Sequence, residues 1–167
     1  MKSLLDQLSN YADYHRSARN ITTHLIGVPM IVLAVVALLS RPAWMVGLLP
    51  VSPAVLVTIA MLLFYLRMDL AFGLIMTVLY GLALWFGAWA ASLETPLWLA
   101  LGLGGFAVGW VIQFVGHYFE GRKPAFFDDV VGLAIGPLFV VAEILFKLGA
   151  FSKLKDQIEQ RSGPVRP

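Results

Sequence analysis

Four stretches of this chain contain no Asp, Glu, Lys or Arg at all: residues 20–40, 42–66, 70–93 and 95–119. About 20 apolar residues wound as a helix cross a hydrocarbon core of about 30 Å, so each gap is long enough for one passage. Hydrophobic residues make up 59% of the 167 and charged residues only 13%, with a mean hydropathy of +0.81. A water-soluble domain of this size is not that apolar. The expected fold is all-α: a polytopic membrane helix bundle with four crossings and a fifth re-entrant or spanning apolar helix, flanked by amphipathic interfacial helices at both ends.

The boundaries follow from local signals. Ser3 and Asp6 form a capping-box-like start, and Leu4, Leu8, Tyr11 and His15 share one face, so residues 1–19 read as an interfacial helix. The bundle spans 20–147. Its crossings run to about Leu39, from Ala54 to Leu66, from Leu70 to Ser92 with Trp85 and Trp89 at an aromatic belt, and from Pro96 to His117. Gly102, Gly104, Gly105 and Gly109 read as a helix-packing surface; no strand precedes them and no lysine follows, which excludes a nucleotide loop. The apolar segment from Val130 to Lys147, with Asp128 and Asp129 as its expected cap, is read as re-entrant or oblique. A full crossing would place Lys153, Lys155, Arg161 and Arg166 on the wrong side for the positive-inside rule. Residues 148–160 read as a second interfacial helix, so that 1–160 is a single integral membrane domain, and 161–167 as a disordered tail.

The first twenty residues carry Asp6, Asp13, Arg16 and Arg19 and no continuous apolar run, so no secretory signal is expected. With no cysteine, any metal must be held by nitrogen and oxygen donors. The net charge of +2 comes from few, clustered cations, which suits lipid head groups rather than nucleic acid.

All three histidines, His15, His24 and His117, fall in two polar pieces, YADYHRSARNITTHLIGVP and QFVGHYFEGRKPA. Four crossings return the chain to its starting side, so His15, His24, Asp69 and His117 reach one membrane face. Lys2, Arg16, Arg19, Arg67, Arg122 and Lys123 assign that face to the cytoplasm. On one helix, nine residues turn about 900° and would place His15 and His24 on opposite sides. A bend at Arg19–Thr23 is therefore needed for them to meet. Gln113, Gly116, His117 and Glu120 share one face of the fourth crossing. Imidazole with carboxylate is a donor set that divalent transition metals favour.

These two motifs, in this order and at this distance, resemble the metabolism-of-phytosphingosine-to-odd-numbered-fatty-acids family of iron-dependent 2-hydroxy fatty acid dioxygenases. The likeness in size and hydropathy runs across nearly the whole chain. It implies Fe(II) held by His15, His24 and His117, with Glu120 in the catalytic set and Asn20 and Gln113 as accompanying polar positions. Asp69, Arg122 and Lys123 are further candidates, either supporting the centre or meeting the substrate. The implied partners are a 2-hydroxy long-chain fatty acid, dioxygen and membrane lipid, in a bacterial inner membrane with the site at the cytoplasmic face; no oligomeric state is implied. Two other classes remain open on the residues alone. One is a zinc-dependent membrane lipid hydrolase, which three nitrogens and a water would also suit. The other is a non-catalytic membrane scaffold or small transporter.

Overall fold

The computed structural model describes residues 2–47, 49–124 and 131–167, which form an all-α bundle with one short hairpin. The Asp128–Asp129 cap and the start of the last apolar segment lie outside the described residues. The elements are α1 (Leu4–Ala12), α2 (Ala18–Ser40), β1 (Trp44–Val46), β2 (Leu49–Val51), α3 (Pro53–Met68) and α4 (Leu70–Ala91). Then come α5 (Thr95–Leu99), a π-helical turn (Ala100–Gly104), α6 (Gly105–Glu120), α7 (Gly132–Lys147) and α8 (Ser152–Ser162).

Among the described residues, three helical stretches are long and apolar enough to cross a membrane: α2, α4 and the continuous run Thr95–Glu120. The expected second crossing is the apolar α3, whose 16 residues rise only about 24 Å. The last apolar segment does not continue straight: α7 and α8 meet at 116°. Gly149 and Phe151 make that corner with left-handed backbone, φ +82° and +56°.

Contacts divide the chain into two compact units, Met1–Pro29 with Trp110–Pro167, and Met30–Gly109. The division falls at Pro29, an interior proline of α2 that supplies no amide donor to its helix. In the Met30–Gly109 unit, close helix approach depends on missing side chains. A Cβ on Gly87 would strike Ser40 Oγ and lie 2.7 Å from Val36 Cγ1, and one on Gly102 would strike Leu38. Val36, Ala54 and Ala83 form the centre of this packing, with Leu33 and Leu84 against it. Asp69 is the whole connection between α3 and α4, and its carboxylate accepts the Phe72 amide at 2.9 Å to cap α4. At the far end of α2, the Arg41 guanidinium covers the Trp98 ring at 4.5 Å, while Trp98 Nε1 donates to the Ala37 carbonyl at 2.9 Å.

The other unit is built differently. The capping box of α1 is present, with Ser3 Oγ accepting the Asp6 amide and Asp6 accepting the Ser3 amide. The interfacial helix is shorter than its periodicity suggests and stops at Ala12, so the bend lies at 13–17, ahead of the expected Arg19–Thr23. Leu8, Tyr11 and Ala12 are buried, and α7 lies along this face with Gly136 beneath the Tyr11 hydroxyl. The expected disordered tail is instead threaded into this unit. Arg166 pairs in parallel with Ser17, its amide donating to the Arg16 carbonyl at 2.7 Å and its carbonyl accepting the Ala18 amide at 2.8 Å.

Candidate metal centre

His15 sits in the tight turn that separates α1 from α2. Its amide donates back to the Ala12 carbonyl at 2.9 Å, which swings the ring inward instead of along the α1 stripe. The ring is fully buried, stacked on Tyr11 at 4.2 Å between centroids and 5° between planes, with Phe139 of α7 at 5.5 Å. Burial first, and the neighbouring His24 second, hold this imidazole well below its ordinary pKa, so it is neutral.

His24 lies two turns into α2 and is also buried. Each ring is oriented by a main-chain carbonyl one turn earlier: His15 Nδ1–H donates to Tyr11 at 2.7 Å, and His24 Nδ1–H to Asn20 at 2.9 Å. A carbonyl can only accept, so both protons belong on Nδ1 and both Nε2 atoms present lone pairs. Those Nε2 atoms are 3.0 Å apart. Two facing lone pairs repel unless a positive charge lies between them.

His117, in the last turn of α6, completes the group. One ring nitrogen from each histidine lies within 4.8 Å of the other two, and ring centroids are 4.3, 4.9 and 5.1 Å apart. The approach of α6 to α2 depends on Gly116, where a Cβ would strike Thr23 Oγ1 and lie 2.5 Å from Asn20 Oδ1. His117 Nδ1 is buried without a hydrogen-bond partner among the described residues. Three buried nitrogens, two held in the ligating tautomer and one orphaned, fit a divalent metal ion. Among the described residues no other group of histidines and carboxylates converges in this way.

The Glu120 carboxylate does not point its free electrons at this group. One oxygen accepts the Ser17 amide at 2.8 Å and Asn20 Nδ2 at 3.1 Å; the other accepts from Arg166. It thus lies at the N-terminus of α2, where the helix dipole favours an anion. Asn20 is fully buried and links this carboxylate to His24, whose ring its carbonyl orients, while its Oδ1 has no partner among the described residues. Gln113, one turn before His117 and only 3% exposed, has neither amide atom satisfied among the described residues. Arg122 and Lys123 are exposed just after α6, and Arg122 donates to the Asp13 carbonyl at 2.8 Å. Asp69 caps α4 in the Met30–Gly109 unit.

Sequence reasoning missed Tyr11 and Phe139 as walls of the site, and Ser17 and Arg166 as partners of Glu120. Arg16 was read only as a surface cation. It is buried, with Nε donating to the Ala12 and His15 carbonyls at 3.0 Å and Nη2 placed 3.8 Å from Glu143. Three of these contacts, His15–Phe139, Ser17–Glu120 and Arg16–Glu143, join residues more than a hundred positions apart, where no local pattern announces them.

No solved structure matches the chain. A family model described as 2-hydroxy-palmitic acid dioxygenase Mpo1-like matches residues 1–148 and therefore takes in all three histidines and Glu120. The 2-hydroxy-palmitic acid dioxygenase MPO1 of Saccharomyces cerevisiae is 36% identical over 159 residues, which cover 93% of this chain and 87% of the yeast protein. A match of this extent, over a chain that folds its two histidine motifs into one buried centre, makes the protein a member of the Mpo1-like family.

Proposed function

We propose that the protein is an iron-dependent dioxygenase that shortens 2-hydroxy fatty acids by one carbon. The observation that carries the reading is the pair of Nε2 lone pairs on His15 and His24, with a ring nitrogen of His117 within 4.8 Å of the same group. The yeast relative's activity supplies the substrate class. The overall change is R–CH(OH)–COOH + O2 → R–COOH + CO2 + H2O. The C1–C2 bond breaks and dioxygen takes up all four electrons, so no external reductant is required. Iron bound by the three histidines would supply the redox chemistry that lets dioxygen react with a closed-shell hydroxy acid.

The chain's own part is to hold, orient and exclude. The Tyr11 and Asn20 carbonyls fix two imidazoles as neutral ligands. The Tyr11 and Phe139 rings keep water from the His15 side. Gln113 offers a donor and an acceptor that no described residue uses, which suits substrate oxygens better than a methylene chain. Arg122 and Lys123, exposed just after α6, would draw a carboxylate from the interface, on a face that reads as cytoplasmic by the positive-inside rule.

The test is anaerobic loading of the detergent-purified protein with ferrous iron, beside His117→Ala, followed by oxygen uptake and release of labelled carbon dioxide from a C1-labelled 2-hydroxy acid. Near-stoichiometric iron and matched oxygen and carbon dioxide yields, both lost in H117A, are expected. Retained zinc with oxygen-independent turnover would sink the proposal, as would equal turnover of the unsubstituted acid.

A further inference from the structure

The segment 161–167 lies beyond residue 148, where the family match ends. Its composition suggests slack, yet it is fastened at every turn. Arg161 pairs with Asp6 at 2.7 Å, Ser162 Oγ donates to the Ser9 carbonyl at 3.0 Å, and the Gly163 carbonyl accepts Arg16 Nη1 at 3.0 Å. Gly163 has φ +82°, a conformation that lets the chain leave α8 and run back along residues 16–18. The Arg166 main chain then takes the Arg16 carbonyl and the Ala18 amide, the latter one of the first α2 amides, which have no partner within their own helix.

The fastening continues into the site. The Arg166 guanidinium, 63% exposed, closes over a Glu120 side chain that is 1% exposed. That carboxylate touches the segments that carry all three histidines. It holds the Ser17 amide two residues after His15 and the side chain of Asn20, whose carbonyl orients His24, and it lies three residues after His117 on the same helix. Without its guanidinium, Glu120 Oε1 would lose its charged partner and its cover and meet water, and hydration would then compete with the Ser17 and Asn20 contacts on the other oxygen.

We propose that segment 161–167 is a strap that preorganises the histidine centre, and that Arg166 is its positioning residue, acting on the three histidines through Glu120. The inference rests on the metal reading above, and the experiment separates the two. The full chain in lipid nanodiscs is titrated anaerobically with ferrous iron, and amide hydrogen exchange is followed across residues 13–20. Wild type is compared with Arg166→Ala, Arg166→Lys, Arg161→Ala, Glu120→Gln and the R166A/E120Q double variant. Support residues of metal-bound histidines are worth about 10–100-fold in affinity, and R166A is expected to lose about 10-fold. R166K should recover part of this and R161A should lose little. R166A should add nothing once E120Q is present, because its route to the centre is gone. Exchange at Ser17, Ala18 and Asn20 should quicken in R166A and not in R161A, with or without metal.

Unchanged affinity and exchange in R166A would overturn the strap. So would an equal loss in R161A, which would mean simple docking of α8, or an undiminished loss in the E120Q background. If wild type binds no iron, the functional reading fails, and exchange over 13–20 decides the strap alone. If R166A does not fold, R166K and E120Q carry the same comparison.

Discussion

Both compact units bury apolar side chains, but they differ sharply in the polar ones they enclose. Of thirteen buried polar or charged residues among those described, eleven belong to the unit formed by 1–29 and 110–167; the exceptions are Ser52 and Thr58. The unit 30–109 is held by small residues, as at Gly87 and Gly102, and turns Leu74, Val78, Leu82 and Trp85 outward. Apolar packing of that kind tolerates many sequences of the right volume. A buried amide, guanidinium or imidazole requires a specific partner, or a ligand in its place. The polar unit is therefore where substitutions should alter chemistry, and the apolar unit where they should alter stability alone.

The sharpest way to break this contrast is the same substitution in both units. Gly116→Val drives a side chain into Thr23 and Asn20, and iron binding should fall by about 100-fold or more as His117 is pushed from His24. Gly87→Val meets Ser40 and Val36, and overpacking of that kind costs about 1–3 kcal/mol. Thermal unfolding should register that loss while iron stoichiometry of the folded fraction stays intact. Equal effects on binding would erase the distinction.

Acidity provides a second, smaller contrast. His15 has a folded-state pKa depressed below the usual 6.5. The unfolded chain therefore takes up a proton that the folded chain refuses, and the metal-free protein loses stability as pH falls below about 6.5. The slope is at most about 1.4 kcal/mol per pH unit from this group. Melting curves at pH 7.5 and 5.5 should show the loss in wild type and a weaker one in His15→Gln.

Gln113→Leu tests whether a buried polar group belongs to function. It removes two unsatisfied atoms, so the melting temperature should hold or rise, while turnover of a 2-hydroxy acid falls by about 10-fold, mainly through KM. A fall in stability would make Gln113 structural. The least effect is expected from Asp6→Asn at the exposed Arg161 pair. Hydrogen bonds from Ser3, then Arg161, lower the Asp6 pKa to about 2. Its contribution is present above the ordinary value of 3.8 and fades as pH falls toward 2. A change in melting temperature at the edge of detection, present at pH 7 and absent near pH 2, is the outcome that fits.

The apolar helices were legible because membrane passage writes long charge-free runs; the count of passages made a meeting of His15, His24 and His117 possible, and the family resemblance implied it. What escaped has a physical reason in each case. The break at 13–17 depends on the Ser17 amide finding Glu120, a partner 103 residues away. The apolar periodicity of α1 continues past the point where the helix stops. The 44–51 segment pairs as a hairpin, which its proline and glycine content had marked only as a connection. The tail reads as disordered by composition, since Gly163, Pro164 and Pro167 bury nothing. Its order comes from hydrogen bonds to carbonyls and amides, which every sequence possesses.

The way Glu120 is held also sets the charge that the centre presents to a guest. Its negative charge is answered by Arg166 and by the amide end of α2. A divalent ion on three neutral imidazoles would keep both of its positive charges. Such a centre sorts molecules by charge before shape: a 2-hydroxy carboxylate arrives as an anion with a second oxygen alongside, whereas a fatty alcohol or ester of the same length brings nothing to neutralise.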